Sequence, residues 1–149
     1  GASAIYLGLP TEKELIGKGV SACATCDGFF YRDQIVHIVG GGDTAMEEAM
    51  FLTKFAKKVT IIHRRDSFRA SKPMQQRVFD NPKIDILWDS AVEEIIADAT
   101  GVTSIKVKNS KTGEVSTRET NGLFMGIGHT PNTAFLKGQI NLDDHGFII

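Results

Sequence analysis

The stretch Ile35-Val36-His37-Ile38-Val39-Gly40-Gly41-Gly42-Asp43-Thr44-Ala45 determines how the middle of this chain folds. Its first five residues form an apolar, β-branched run, which is typical of a buried strand in a parallel sheet. The glycines then predict a tight turn, and the small and apolar residues after them recur near helical spacing, which predicts a helix from about Asp43 to Phe55. Val59-Thr60-Ile61-Ile62 predicts a second strand. Strand, glycine turn, helix and strand within about 30 residues form a βαβ unit.

The sequence on both sides of this unit predicts an α/β fold: a Rossmann-like parallel sheet with flanking helices and an antiparallel β-meander. Residues 1–19 are predicted to form a loop, since Pro10, Gly17 and Gly19 break any regular element. A short helix is predicted from Pro73 to Phe79, with proline in its first turn. The pattern then changes to short alternating segments, which predict antiparallel strands with a hairpin turn at 109–113. These segments are 84–88, 92–95, 102–107 and 115–117. A last core strand is predicted at 123–127, ended by Gly128 and Pro131.

Length and composition indicate an ordinary globular protein. The chain has 149 residues, a formal net charge of -1, 42% hydrophobic and 23% charged residues, which fits one domain over residues 1–149. This charge gives no reason to expect a nucleic acid or a membrane surface as partner, and no signal peptide or membrane-spanning run is present in the sequence. Two cysteines are too few for a disulfide-stapled secreted scaffold, so we expect a cytoplasmic protein. Because the chain lacks an initiator Met and stops inside the apolar segment 146–149, we expect it to be part of a longer protein.

The glycine turn has the spacing of a dinucleotide-binding fingerprint, Gly40-x-Gly42-x-x-Ala45. Gly40 permits the tight turn, Gly42 lets a pyrophosphate approach the backbone, and Ala45 lets helix and strand pack closely. The phosphates are expected at the helix N-terminus, where Asp43 and Thr44 stand and where Thr44 can add a hydroxyl. The alternative is a purely structural turn.

A basic cluster stands where the second strand of such a unit ends. That position normally carries an acid that binds the ribose 2′-hydroxyl of NAD. Here the sequence reads His63-Arg64-Arg65, with Arg69 nearby, and arginine binds a 2′-phosphate with charge-assisted contacts. The cluster therefore favours NADP(H), against the alternative of a solvated basic loop. Asp66 is expected to pair with an arginine inside the cluster.

The segment Cys23-Ala24-Thr25-Cys26-Asp27 carries a closely spaced cysteine pair. A zinc site would need further ligands at metal spacing, and the four histidines are scattered. A redox pair is favoured over two inert thiols because neighbouring cysteines can close a disulfide and exchange it. Asp27 is either a general acid for the leaving thiolate or a helix N-cap; the sequence leaves both open.

Four stretches together resemble the low-molecular-weight thioredoxin reductases of bacteria, plants and fungi. They follow the order of that family along nearly the whole chain, and their combination is far more specific than any single motif. The stretches are Gly19-Val20-Ser21-Ala22-Cys23-Ala24-Thr25-Cys26-Asp27-Gly28, Gly40-Gly41-Gly42-Asp43-Thr44-Ala45-Met46-Glu47-Glu48-Ala49, His63-Arg64-Arg65-Asp66-Ser67-Phe68-Arg69-Ala70 and Ile127-Gly128-His129-Thr130-Pro131-Asn132-Thr133.

The resemblance implies homodimeric flavoproteins in which NADPH reduces FAD, FAD reduces a disulfide, and the dithiol reduces thioredoxin. It implies that Cys26 is the thiol nearer the flavin, that Cys23 attacks thioredoxin, and that Asp27 is the acid. It also implies a set of NADPH-contacting residues, namely Thr44, His63, Arg64, Arg69 and Ile127.

The FAD-binding domain of that family is expected to lie outside this chain, which by itself should then be inactive. Two alternatives remain: the corresponding domain of a flavoprotein reductase that feeds a peroxidase, and an NADP(H)-binding module without redox activity.

Overall fold

The fold is that of a computed structural model, which describes residues 2–4, 6–127 and 129–131, with side chains for residues 6–127. Its helices are α1 (Ala24–Asp27), α2 (Asp43–Leu52) and α3 (Lys72–Phe79), with 3-10 turns at Lys13–Leu15 and Gly28–Tyr31. Its strands are β1 (Ala2–Ala4), β2 (Val20–Ser21), β3 (Ile35–Val39), β4 (Lys58–Ile62), β5 (Ile84–Leu87), β6 (Ser90–Asp98), β7 (Gly101–Asn109), β8 (Val115–Glu119), β9 (Gly122–Met125) and β10 (His129–Pro131).

A parallel sheet of five strands, in the order β2-β9-β3-β4-β5, forms the centre of the fold. The predicted βαβ unit is confirmed: β3 and β4 pair in register from Ile35 with Lys58 to Val39 with Ile62, and α2 connects them. Helix α2 ends at Leu52, three residues before the predicted end, because the backbone N–H groups of residues 54 and 55 bond to carbonyls three positions back.

The two faces of this sheet are covered differently. Side chains alternate along each strand, so Val36 and Ile38 face one side while the residue between them faces the other. The first side packs against the helices, with the buried Ala45, Ala49 and Leu52 of α2 in the same core. The second side packs against the three-stranded antiparallel sheet β6-β7-β8, and its core includes Val20, Ile62, Leu123, Met125, Val92, Ile95, Val102, Ile105 and Val107. The predicted meander is therefore confirmed for these three strands.

The prediction for residues 84–88 was wrong in topology. Strand β5 pairs parallel with β4, from Ile84 opposite Val59 to Leu87 opposite Ile62, and so extends the central sheet instead of the meander. Helix α3 connects the two strands, which makes a second βαβ unit. As an edge strand β5 alternates between a buried Ile84 and an exposed Asp85, and this alternation resembles that of an antiparallel strand.

Further differences concern the first residues and the end of β9. The predicted loop 1–19 contains β1, which pairs antiparallel with β10, and a 3-10 turn. Strand β9 ends at Met125, before the predicted end at residue 127, and Pro131 lies in β10. Gly128 and the apolar segment 146–149 lie outside the described residues.

One hydrogen bond joins the central sheet to the three-stranded sheet through their interior. The Nε–H of Arg118 in β8 donates to Nε2 of the buried His37 in β3, at 3.1 Å. Burial and the nearby guanidinium lower the pKa of His37 to about 4, so this ring is neutral and accepts the bond. Within the described residues, none of the helices has the length and apolarity needed to cross a membrane.

Candidate functional site

The two cysteines are joined in a disulfide at the start of α1. Cys23 and Cys26 are bonded to each other, with their Cα atoms 5.3 Å apart, and the backbone N–H of Cys26 donates to the sulfur of Cys23 at 3.2 Å. Cys26 is exposed and Cys23 is half-buried, so the pair lies at the surface. An exchangeable surface disulfide is consistent with the redox interpretation of the segment.

Asp27 is held by Ser21, which was not a predicted site residue. The Ser21 hydroxyl lies 2.6 Å from Oδ2 of Asp27, to which it can donate, while Ser21 Oγ accepts the backbone N–H of Cys23 at 3.0 Å. The Asp27 side chain makes no capping bond to the 3-10 turn that follows, so the N-cap interpretation is not supported. Ser21 ties the carboxyl to the backbone of the first cysteine. Only the folded chain reveals this contact, because nothing in the pattern around Ser21 distinguishes it.

A second carboxyl lies against the same short helix. Glu48, on α2, has Oε2 buried and without a hydrogen-bond partner among the described residues. Burial raises the pKa of Glu48 to about 7, the backbone N–H of Ala24 lowers it, and the charge of Glu47 raises it further. Nothing in the sequence distinguishes Glu48, because apolar and charged residues occur together around it as on any amphipathic helix.

Three consecutive glycines occupy three different environments. Gly40 has a φ of +142°, and a Cβ there would lie 2.5 Å from the carbonyl oxygen of Gly126 and 3.0 Å from Cβ of Ala45. A Cβ on Gly41 would overlap the imidazole of His63. A Cβ on Gly42, which precedes α2, would meet nothing within 4 Å. The backbone at Gly42 therefore borders open space, as the fingerprint requires for a phosphate to approach.

The basic loop, residues 63–71, is joined to the glycine turn by hydrogen bonds from two of its backbone N–H groups. The N–H of Arg69 donates to the carbonyl of Gly41 at 2.7 Å, and the N–H of Ser71 donates to Oδ1 of Asp43 at 2.9 Å. Within the loop, Nε2 of His63 lies 2.7 Å from the carbonyl oxygen of Ser67. These bonds place the arginines beside the turn that is expected to hold phosphates.

His63 is buried under the loop and packed between aromatic rings. Its ring centroid lies 5.4 Å from that of Phe68 and 6.2 Å from that of Trp88. Burial lowers the pKa of His63, the Ser67 carbonyl raises it, and the nearby arginines lower it again. A neutral imidazole is therefore favoured near pH 7, and the cationic groups of the loop are its arginines.

A cavity of about 420 Å³ lies where β3 and β4 end. It brings together five residues that the sequence predicted for nucleotide binding: Gly40, His63, Arg64, Arg69 and Ile127. Gly41, which was not predicted as a nucleotide contact, also lines it. The remaining lining residues are mostly apolar: Leu7, Val39, Ile62, Ser90, Ala91 and Val92. The predicted residues Gly42, Asp43, Thr44 and Arg65 do not line this cavity.

The arginines of the cavity have no acidic partner within the described part of the chain. The ion pairs found there are Lys58 with Asp85 and Lys108 with Glu93. The expected pairing of Asp66 with an arginine is therefore not present among these residues. Two guanidinium groups that border a cavity without a carboxylate can bind an external anion.

The family model for pyridine nucleotide-disulphide oxidoreductases matches residues 1–149. The chain belongs to this family. Thioredoxin reductase of Streptomyces coelicolor is 56% identical over 142 residues, which are 95% of this chain and 44% of the relative. Thioredoxin reductase of Rickettsia felis is 52% identical over 151 aligned residues, which cover 100% of this chain and 49% of the relative. The chain thus spans about half the length of these curated relatives.

The comparison with solved structures confirms the fold. Thioredoxin reductase of Lactococcus lactis has a TM-score of 0.90 with this chain at 44% identity, over 99% of this chain and 49% of that one. Thioredoxin reductase of T. acidophilum has a TM-score of 0.86 at 34% identity, over 99% of this chain and 49% of that one. The predicted Rossmann-like fold is therefore confirmed.

Proposed function

We propose that this chain is the NADPH-binding and dithiol portion of a thioredoxin-disulfide reductase. Electrons pass from NADPH to FAD, then to the Cys23–Cys26 disulfide, and finally to thioredoxin. One observation carries the proposal: a surface disulfide and a cavity lined by two arginines occur in the same fold. The similarity to thioredoxin reductases over nearly the whole chain supports the choice of substrate.

The cavity supports NADP(H) as the nucleotide. Its arginines, Arg64 and Arg69, suit a 2′-phosphate, and the open space at Gly42 suits a pyrophosphate beside the start of α2. The apolar residues that also line the cavity suit a flat heterocyclic ring. Thr44 and Arg65 remain proposed contacts at the rim, because they are exposed beside the cavity residues.

The cysteines act by thiol–disulfide exchange. Two electrons reduce the Cys23–Cys26 disulfide to two thiols. When bound, FAD would accept a hydride from the nicotinamide and pass its two electrons to the disulfide. The Cys23 thiolate then attacks a thioredoxin sulfur, and Cys26 resolves the mixed disulfide, so the original bond forms again. Asp27 gives a proton to the leaving thiolate. The exposure of the two residues does not favour this order by itself, because Cys26 is the more exposed.

Three further statements belong to the proposal. The FAD-binding portion lies outside residues 1–149, the complete reductase is a homodimer, and it works in the cytoplasm. Their support is the family membership and the half-length match to thioredoxin reductases.

Mixing the 149-residue chain with NADPH and oxidised thioredoxin tests the proposal. We expect NADPH binding without NADPH oxidation above the blank, because no flavin relays the electrons. The complete reductase should turn over thioredoxin, and Cys23→Ser should abolish that turnover. Rapid reduction by the chain without flavin, or full activity of the Cys23→Ser enzyme, would contradict the proposal. Turnover with a peroxidase partner but not with thioredoxin would favour the peroxidase-linked alternative.

A further inference from the structure

The carboxylate of Asp43 makes a long-range contact to the basic loop. Asp43 is the first residue of α2, and its Oδ1 accepts the backbone N–H of Ser71, 28 residues later in the chain, at 2.9 Å. Ser71 directly precedes α3 and closes the loop that carries Arg64 and Arg69. The loop has further anchors, since Nε2 of Gln75 donates to the carbonyl of Ala70 at 2.7 Å and the N–H of Asp89 donates to the carbonyl of Arg65 at 3.0 Å. The Asp43 bond adds a tie between the end of the loop and the start of α2.

From this contact we propose that Asp43 is a positioning residue for nucleotide selectivity. It holds the basic loop against the glycine turn, so that Arg64 and Arg69 meet the 2′-phosphate of NADP(H), and it does not itself bind the nucleotide. This inference rests on the proposed nucleotide function of the cavity.

The position of Asp43 argues against direct phosphate binding. A carboxylate only accepts hydrogen bonds, as phosphate oxygens do, so Asp43 has no donor to offer a pyrophosphate at the start of α2. Asp43 does not line the cavity, whereas Arg64 and Arg69 do. Its bond to Ser71 uses a backbone N–H, so it anchors the loop without neutralising either guanidinium group.

A second bond acts beside the first. The N–H of Arg69 donates to the carbonyl of Gly41 at 2.7 Å. The loop is therefore bonded to the turn at two residues, Gly41 and Asp43. The Asp43 contact fixes the side that leads into α3. Without it, the loop must lose conformational freedom when it binds the 2′-phosphate, and the apparent affinity falls in proportion to the competent fraction.

The test measures dissociation constants for NADPH and NADH with the 149-residue chain, by calorimetric titration. We expect Asp43→Ala to weaken NADPH binding about tenfold and NADH binding less than about twofold, since one charged hydrogen bond is lost and only NADPH uses the arginines. Asp43→Asn keeps an oxygen that can accept from Ser71, and should restore NADPH affinity to within about threefold of the unmodified chain.

Ser71→Pro removes the donor from the other side of the contact. Ser71 has φ -60°, which is within the range of proline, so this variant deletes the N–H without requiring a change in φ at residue 71. The proline ring occupies the place of the N–H and so also displaces the Asp43 carboxylate. It should lose the same selectivity as Asp43→Ala, and the double variant should be no worse than either alone. If Asp43→Ala does not fold, Ser71→Pro still tests the positioning role. Glu47→Ala, which removes an exposed carboxylate from the same helix, is the matched control and should leave the NADPH-to-NADH ratio unchanged.

The outcomes separate the two proposals. If the unmodified chain binds NADPH and NADH equally, the 2′-phosphate assignment fails. If the unmodified chain discriminates but Asp43→Ala and Ser71→Pro keep the same ratio, the positioning role fails. Equal weakening of both nucleotides, or failure of Asp43→Asn to restore the ratio, also overturns the positioning role.

Discussion

At Gly40 the backbone takes a conformation that side chains rarely adopt, while two residues later the backbone is extended. Gly40 has φ +142° with the Gly126 carbonyl oxygen 2.5 Å from a hypothetical Cβ, whereas Gly42 has φ -98° and open space around it. The same residue type thus serves folding at the first position and, in the proposed nucleotide site, ligand access at the other.

This difference predicts opposite outcomes for two alanine substitutions. Gly40→Ala should lower the free energy of unfolding by about 2–4 kcal/mol, through backbone strain and overpacking. Gly42→Ala should change it by no more than about 1 kcal/mol, but should weaken NADPH binding because its methyl group enters the proposed phosphate site. Urea denaturation with NADPH titration measures both. Equal stability of the two variants would contradict this account of the turn.

The raised pKa of Glu48 predicts that the free energy of unfolding depends on pH. Its pKa in the folded chain, about 7, is above the ordinary value of 4.5, so the folded state holds the proton more tightly than the unfolded state. Its contribution to stability is therefore full below pH 4.5 and is lost as the pH rises through about 7. Glu48→Gln should remove this loss, so the variant should gain stability relative to the unmodified chain at pH 8. Denaturation curves at pH 5 and pH 8 test this; the prediction fails if the difference between the proteins is the same at both.

At the scale of elements, the link between β3 and β8 predicts the opposite trend. The pKa of His37 is lowered from 6.5 to about 4, so its contribution to stability is present above pH 6.5 and is lost as the pH falls through about 4. His37→Gln keeps an acceptor for Arg118 but cannot be protonated. Between these pH values, protonation of His37 should lower the free energy of unfolding of the unmodified chain by up to about 3 kcal/mol. The variant should not show this loss. An unchanged acid slope in the variant would show that another group governs it.

The basic loop predicts a selective loss of affinity. Arg64→Ala combined with Arg69→Ala should weaken NADPH binding by about 2–4 kcal/mol, because two charged contacts are removed, while NADH binding barely changes. Arg77→Ala, an exposed arginine of α3 outside the cavity, is the control and should affect neither nucleotide. Equal losses for NADPH and NADH in the double variant would contradict the 2′-phosphate assignment.

The elements also explain what the sequence could predict. The unit from β3 to β4 was predictable because an apolar run, a glycine turn and helical spacing follow one another within one continuous stretch. Strand β5 was not, because an edge strand with one exposed face has the alternation of an antiparallel strand. The two-residue strand β2 is too short to produce any pattern.

The candidate site was likewise predictable from the sequence only in part. The cysteine pair and the arginines were predictable because residue type and spacing indicate their chemistry. The contacts of Ser21 with Asp27 and of Asp43 with Ser71 were not, since they depend on how separate segments meet in the folded chain.

In the whole molecule, the disulfide and the cavity are built on different parts of one sheet. The cavity lies at the carboxyl ends of β3 and β4, where ligands bind in open α/β sheets. The disulfide begins α1, directly after the edge strand β2, and no residue of α1 lines the cavity. Helices cover one face of the sheet and the meander covers the other. This separation of the two centres is consistent with a mediator that receives electrons at one and delivers them at the other.

We propose that the cavity selects a phosphorylated ribose in a chain that also carries a redox disulfide. Calorimetric titration of the unmodified chain with NADPH and with NADH tests this selectivity. We expect one NADPH site with affinity at least about tenfold higher than that for NADH, since the 2′-phosphate adds a charged hydrogen bond. Equal affinities, or no binding of either nucleotide, would contradict it.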